Sequence, residues 1–180
     1  MPRKPLIRSS EHYYHVTARS NNKEWFYIPS EDVWYYARKY LQEGQKKFGV
    51  EVQAFVLMCN HYHMLILTPK ANLDKFMQYF NRNLGRSIAR HAGRINRIFG
   101  ASYKWNLILS ESYYRNVLRY IYQNPLRAQL VVRCQDYPYS DLVDKDICPE
   151  LLSWFNQGMS ESECQHTKRR LRQIVIDTKS

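Results

Sequence analysis

Two apolar, β-prone runs, Val52 to Met58 and His61 to Thr68, are separated only by Cys59 and Asn60. Runs of this length so close together have one outlet, an antiparallel hairpin with Asn in its turn. Pro69 closes the second strand, because proline cannot donate to a ladder. Any fold for this chain must therefore be built around a hairpin. The second strand carries His61 and His63, and side chains two apart on a strand share a face. Two neutral imidazoles side by side form half of a divalent metal site. Spaced histidines also arise as hydrogen-bonded core or surface residues, so the pair needs support from elsewhere in the chain.

The rest of the chain supplies the hairpin with covering elements. Tyr13 to Ala18 reads as a strand by composition. Ser30 is placed as the N-cap of a helix over Glu31 to Phe48, with Gly49 where a helix should stop. Leu73, Met77, Phe80, Leu84 and Ile88 repeat at helical spacing and define a core-facing stripe. Ser102 to Leu109 reads as a further strand, and a helix starts at Ser110 or Ser112, with Pro125 expected to end or kink it. Strand, helix, two strands, helix, strand, helix is the pattern of an α+β sandwich: a single antiparallel sheet with helices, ferredoxin-like. The 180 residues suit one domain and not two. They divide into a basic N-terminal arm at residues 1–10, a main folded domain at residues 11–145, which would carry any catalytic site, and a basic C-terminal extension at residues 146–180. Lys168-Arg169-Arg170-Leu171-Arg172 in that extension reads equally as a solvated charge run or a DNA contact.

Charge points to the partner. The net charge is +11, with 27 basic against 16 acidic residues, but the distribution says more than the sum. From Lys75 through Ser110 there is no Asp or Glu, while Arg82, Arg86, Arg90, Arg94, Arg97 and Lys104 all fall there. Arg82, Arg86, Arg90 and Arg94 repeat every four residues and stack along one helix face for as far as the helix runs. That face lies opposite the apolar stripe. Unpaired like charges at this spacing cost a helix a few tenths of a kcal/mol each, so they make most sense facing a polyanion. Tyr79, Tyr103 and Trp105 nearby suit either base stacking or core packing, and packing is the commoner fate of each. No stretch reaches the length of a membrane span, and no signal-peptide core follows the N-terminus. The four cysteines form no Cys-x-x-Cys, and a reduced cytoplasm fits best.

A second constellation lies in Arg119-Tyr120-Ile121-Tyr122-Gln123-Asn124-Pro125-Leu126-Arg127-Ala128. Tyr120 and Asn124 are four apart and share a helix face, and Arg127 follows if the helix passes Pro125. Tyr122 points to another face, toward packing or a stacked base.

Taken together, these segments resemble the single-tyrosine HUH transposases (His, hydrophobic, His), the IS200-like family with its REP-associated branch. Leu57 to Ile66 is similar to the HUH strand, and Arg119 to Ala128 to the tyrosine helix. Tyr13 to Arg19 is similar to the first strand, and Tyr137-Pro138-Tyr139-Ser140-Asp141 to the Trp-Ser-Ser-like tail. The resemblance covers roughly Glu11 to Asp141, in the family's order. It implies that Tyr120 is the nucleophile, that His61 and His63 are metal ligands, and that Asn124 is a polar third ligand. It also implies a 5′-phosphotyrosine and a free 3′-OH. The chain departs from the family at Cys59, where proline is common, at the bulky Tyr62, and at Ser102, where many members have arginine. None of these removes a catalytic group.

The implied chemistry is self-consistent. A free phenol titrates near ~10 and is a poor nucleophile at pH 7. A Mg²⁺ or Mn²⁺ ion on the histidines polarises a phosphate and offsets charge in the transition state, and imidazole suits Mn²⁺ better. The expected substrate is single-stranded or hairpin DNA, held by Arg82, Arg86, Arg90, Arg94, Arg97, Lys104 and Arg127, with the protein a monomer or homodimer. Two alternatives stand beside this reading. One is a non-catalytic hairpin binder, which would have no need of His61, His63, Tyr120 and Asn124. The other is a metal phosphodiesterase using water, with Tyr120 structural.

Overall fold

A computed structural model of the chain describes residues 5–157. The basic cluster at Lys168 to Arg172 lies outside these residues. Strand β1 (Tyr14–Arg19) is followed by helix α1 (Ser30–Phe48), the hairpin β2 (Glu51–Leu57) and β3 (His61–Leu67), helix α2 (Leu73–His91), strand β4 (Lys104–Leu107), helix α3 (Glu111–Arg127) and a short helix α4 (Pro149–Asn156). The four strands form one sheet in the order β2-β3-β1-β4, with β1–β3, β1–β4 and β2–β3 all antiparallel. This is the expected ferredoxin-like arrangement, and it makes β3, the strand of the histidine pair, an interior strand.

Strand alternation splits the hydrophobic interior into two layers. Tyr62, Met64 and Ile66 of β3 join Tyr14, Val16 and Ala18 of β1 beneath α1 and α2. Leu65 faces the other way and packs with Val117, Ile121, Tyr122 and Leu126 of α3 and Phe155 of α4. All five residues of the α2 stripe are buried, together with Phe76. Each contributes about 1.5–3 kcal/mol of apolar burial, which fixes that face of the helix. The two long helices meet at Gly44, where an added Cβ would stand 2.6 Å from a Phe76 ring carbon.

The boundaries differ from the sequence reading in four places, each with a local cause. Pro29, not Ser30, is the N-cap of α1, and Ser30 is its first residue. Gly49 ends the helix as expected, with φ at +65°. Helix α2 stops at His91 because Gly93 turns the chain at φ +62°, so Arg94 leaves the arginine row. Strand β4 is shorter than Ser102 to Leu109, since Gly100, Ala101 and Ser102 form exposed loop. Pro125 does not end α3, which continues to Arg127. The Asn124 amide nitrogen donates to the Tyr120 carbonyl at 2.8 Å and to the Ile121 carbonyl at 3.4 Å. The Ile121 carbonyl is the one that the missing Pro125 N–H leaves without its helical donor.

The N-terminal segment is tied down as well. The Tyr14 hydroxyl accepts from Ser9 N and donates to the Ile7 carbonyl, while Arg8 pairs with Asp74 at 2.6 Å.

Candidate active site

The site is built where the second face of the sheet meets α3. His61 and His63 project from β3 on that face, their ring centroids 5.1 Å apart. Directly across the ladder, Arg19 pairs with His61 and Thr17 with His63. One step further along β1 stands His15, whose ring stacks on His63 at 5.3 Å with Nε2 3.0 Å from His63 Nδ1. Helix α3 crosses above and sets Tyr120 edge-on over both rings, 5.5 Å from His63 and 5.8 Å from His15. Tyr120 keeps 37% of its surface exposed, while His63 keeps 6%. The Arg127 guanidinium lies over the outer side of the Tyr120 ring at 5.5 Å. Residues far apart in the chain, 15, 61, 63, 120 and 127, therefore converge on one spot.

The electrostatics follow from burial. Desolvation pushes His15 and His61 down to about 4, with Arg19 adding to the effect on His61. His63 is pushed to about 3 by burial and then by its two imidazole neighbours and Arg19. All three rings are neutral at pH 7, the form that offers a lone pair to a metal. His61 and His63 fit a divalent ion as two neighbouring imidazole donors. Asn124 stands one turn beyond Tyr120. Its amide nitrogen is spent on the α3 backbone, and its Oδ1 has no partner among the described residues. No group of three His, Cys, Asp or Glu side chains with metal-holding geometry occurs among the described residues, so these residue types supply no third donor to the histidine pair there.

A cleft of about 570 Å³ opens beside the histidines, lined by Arg19, Lys23, His61, His63, Ser102 and Lys104 among others. A larger groove of about 920 Å³ runs between α2 and the Ile95–Tyr103 segment and takes Arg82, Arg86 and Arg97 into its wall. Gly100, Ala101 and Ser102 belong to both. Arg90 is exposed on α2 outside these walls. Arg94 departs from the expected row and lays its guanidinium 3.6 Å from the Tyr27 ring centroid.

The aromatic residues sort toward packing. Tyr122 is buried against Phe155, Tyr79 donates to Glu43, and Trp105 packs on Tyr14. His15 and Arg19 were not singled out from the sequence. Their signal is register, since they share the β1 face that pairs with the histidine face of β3, and register is set by long-range pairing.

A four-stranded sheet in this order, with helices on both faces, is a ferredoxin-like fold of the kind that solved tyrosine transposases share. The sequence matches the family described as "Transposase IS200 like" over residues 8–124, and the chain belongs to that family. Among solved structures it is similar to a REP-associated tyrosine transposase bound to a REP hairpin, at 20% identity and a TM-score of 0.66. That match covers 83% of this chain and 89% of the other. A protein of Deinococcus radiodurans R1 described as a candidate transposase aligns at 16% identity and a TM-score of 0.45, covering 67% of this chain and 94% of its own. Among curated proteins, none matches the sequence. No helix among the described residues is long and apolar enough to cross a membrane.

Proposed function

We propose that this transposase cleaves and rejoins single-stranded or hairpin DNA through a covalent phosphotyrosine on Tyr120. The observation that carries the reading is the seating of the exposed Tyr120 ring edge-on over His63, under the Arg127 guanidinium. Tyr122, two residues on, is enclosed at 2% exposure, whereas Tyr120 keeps 37% and stays accessible to a strand.

In the reaction, the Tyr120 oxygen attacks the scissile phosphorus. The bond to the 3′-oxygen breaks, a 3′-OH leaves with the phenolic proton's equivalent, and the 5′-phosphate stays on the tyrosine. The bond is conserved, so attack by another 3′-OH rejoins the strand and frees the phenol. His61 and His63, with Asn124 as a polar third donor, would hold a Mg²⁺ or Mn²⁺ ion, which would supply Lewis-acid polarisation of the phosphate. Arg127 offers a fixed positive charge beside the nucleophile, where a non-bridging phosphate oxygen must lie. Burial keeps the histidines unprotonated, so they hold the ion without first releasing a proton.

DNA enters this reading through the two connected grooves. Arg82, Arg86 and Arg97 line the larger one, and Arg19, Lys23 and Lys104 the smaller. A backbone following them would pass Ser102 and arrive at the histidine pair. Arg90 and Arg94 would add charge at the α2 end. Each phosphate so neutralised releases counterions, which makes binding salt-dependent.

The test is incubation of the full chain with labelled hairpin oligonucleotides and Mn²⁺, followed by denaturing gels. We expect a protein–DNA adduct that His63→Ala abolishes. Cleavage without adduct would replace this reading with water-using hydrolysis, and binding without cleavage would replace it with a hairpin binder.

A further inference from the structure

The imidazoles of the pair are each held from behind, and by different means. His61 Nδ1 lies 2.7 Å from the Asn60 side-chain oxygen. That amide cannot be turned the other way, because its nitrogen donates to the Lys23 carbonyl at 2.6 Å. An amide oxygen only accepts, so His61 must carry its hydrogen on Nδ1 and its lone pair on Nε2. His63 Nδ1 faces His15 Nε2 at 3.0 Å. With two nitrogens in contact, one must donate and the other accept. The ring nitrogen left free to bind a metal is decided by the hydrogen bond that its twin makes.

We propose that Asn60 and His15 are positioning residues that fix His61 and His63 as Nδ1–H tautomers, so that both Nε2 lone pairs point into the cleft lined by Arg19 and Lys104. This rests on the reading of the pair as metal ligands. For His63 it requires that Nδ1–H donates to His15 Nε2, and that His15 carries its own hydrogen on Nδ1. His15 thereby does for His63 what the Asn60 carbonyl oxygen does for His61. It is the neutral counterpart of the carboxylate that often backs a metal-bound histidine. Two neutral acceptors leave the charge of a bound divalent ion uncompensated by the protein, and available to a phosphate.

The hairpin turn explains why Asn60 can act in this way. Its backbone carbonyl accepts from Ser20 N at 2.8 Å, and Met58 N donates to the His61 carbonyl at 2.8 Å. The turn is thus pinned to the end of β1 on one side and closed on the other. The amide is held at both ends and gives the ring of His61 one orientation.

Two measurements on the full chain test this. The first is nitrogen NMR of the histidine rings in the metal-free protein, which distinguishes protonated from lone-pair nitrogens. We expect His61 and His63 both as Nδ1–H and His15 as Nδ1–H with an accepting Nε2. A hydrogen on Nε2 of His61 or His63 overturns the proposal. The second is Mn²⁺ binding followed by calorimetry. His15→Phe keeps a ring but loses the acceptor, and Asn60→Ala loses the amide. Each should weaken Mn²⁺ binding roughly 10- to 100-fold. His15→Gln, which restores an acceptor oxygen, should recover most of the loss. If His15→Phe binds Mn²⁺ as tightly as the parent, or His15→Gln no better than His15→Phe, His15 has no positioning role. If the parent chain binds no Mn²⁺ at all, the metal reading itself fails, a result separate from either of these.

Discussion

Tyr120 and Tyr122 lie on one helix two residues apart, and their surroundings differ: Tyr120 is exposed above the histidines and Tyr122 is enclosed. Tyr122 is buried against Phe155 with ring centroids 4.9 Å apart, and its hydroxyl accepts from Lys145 at 3.0 Å. Burial pushes this phenol far above the ordinary tyrosine value, with Asp141 reinforcing the effect. It is held neutral and out of reach of substrate. Tyr122→Phe should therefore cost about 1 kcal/mol of stability through the lost hydrogen bond and leave adduct formation intact. Tyr120→Phe should do the reverse, with the melting temperature unchanged and the adduct gone. Thermal melts and adduct gels on the two variants check both halves, and a stable, adduct-forming Tyr120→Phe protein would remove the nucleophile assignment. Much of this was legible in the sequence, because a two-residue offset on a helix is a rotation of about 200°. His15 was not legible. It acts through a stack with His63, 48 positions away, and nothing local to Tyr13 to Arg19 marks it.

At the scale of the elements, α3 and α2 each carry a test. In α3, Asn124 bonds the Tyr120 and Ile121 carbonyls, one turn before Pro125, through its nitrogen, and its oxygen has no partner among the described residues. The two roles separate by substitution. Asn124→Asp keeps an oxygen donor but loses the N–H, so helix stability should fall by about 1 kcal/mol while Mn²⁺ affinity holds or rises. Asn124→Ala should lose both. Unchanged Mn²⁺ affinity in Asn124→Ala would leave the residue with its helix role alone. The passage of α3 through Pro125 was not legible in the sequence, since a side chain supplying the missing bond is invisible to a rule about backbone. The apolar stripe of α2 was legible in all but Phe76, because burial at period 3.6 is a local pattern. The arginine row was legible only to Arg90, as the left-handed turn at Gly93 takes Arg94 to Tyr27. Replacing Arg82, Arg86 and Arg90 with Gln should weaken hairpin binding and flatten its salt slope by roughly 0.7 per lost phosphate contact on single strands. Equal affinity and slope in titrations across salt concentrations would reduce the row to a solvated face.

For the whole molecule, the sheet brings three neutral imidazoles into a partly buried cluster, and this has a consequence for stability. Unfolded histidines titrate near ~6.5, whereas His15 and His61 hold out to about 4 and His63 to about 3. Between these limits the unfolded chain binds more protons, so stability rises with pH there and is lost as pH falls from about 6.5 toward 4. The limiting slope is about 1.36 kcal/mol per pH unit for each histidine, less for the partly exposed His15 and His61. Denaturant melts of the metal-free protein should show this loss, and His63→Gln should flatten it. A stability constant from pH 7 to 4.5 would contradict the buried, neutral cluster. The same convergence joins the two basic grooves at Gly100 to Ser102 and ends them at the histidines. The order of elements was readable from periodicities, but this convergence was not, since it depends on β4 pairing with β1 and on α3 folding back over the sheet. The central claim is that the phenol above the histidines takes the DNA strand. It is tested most directly by digesting the adduct formed with a cleaved hairpin oligonucleotide and locating the nucleotide-bearing peptide by mass spectrometry. We expect a single modified residue, Tyr120, carrying a 5′-phosphate. Modification at Tyr122 or any other residue, or cleavage with no modified peptide, would contradict it.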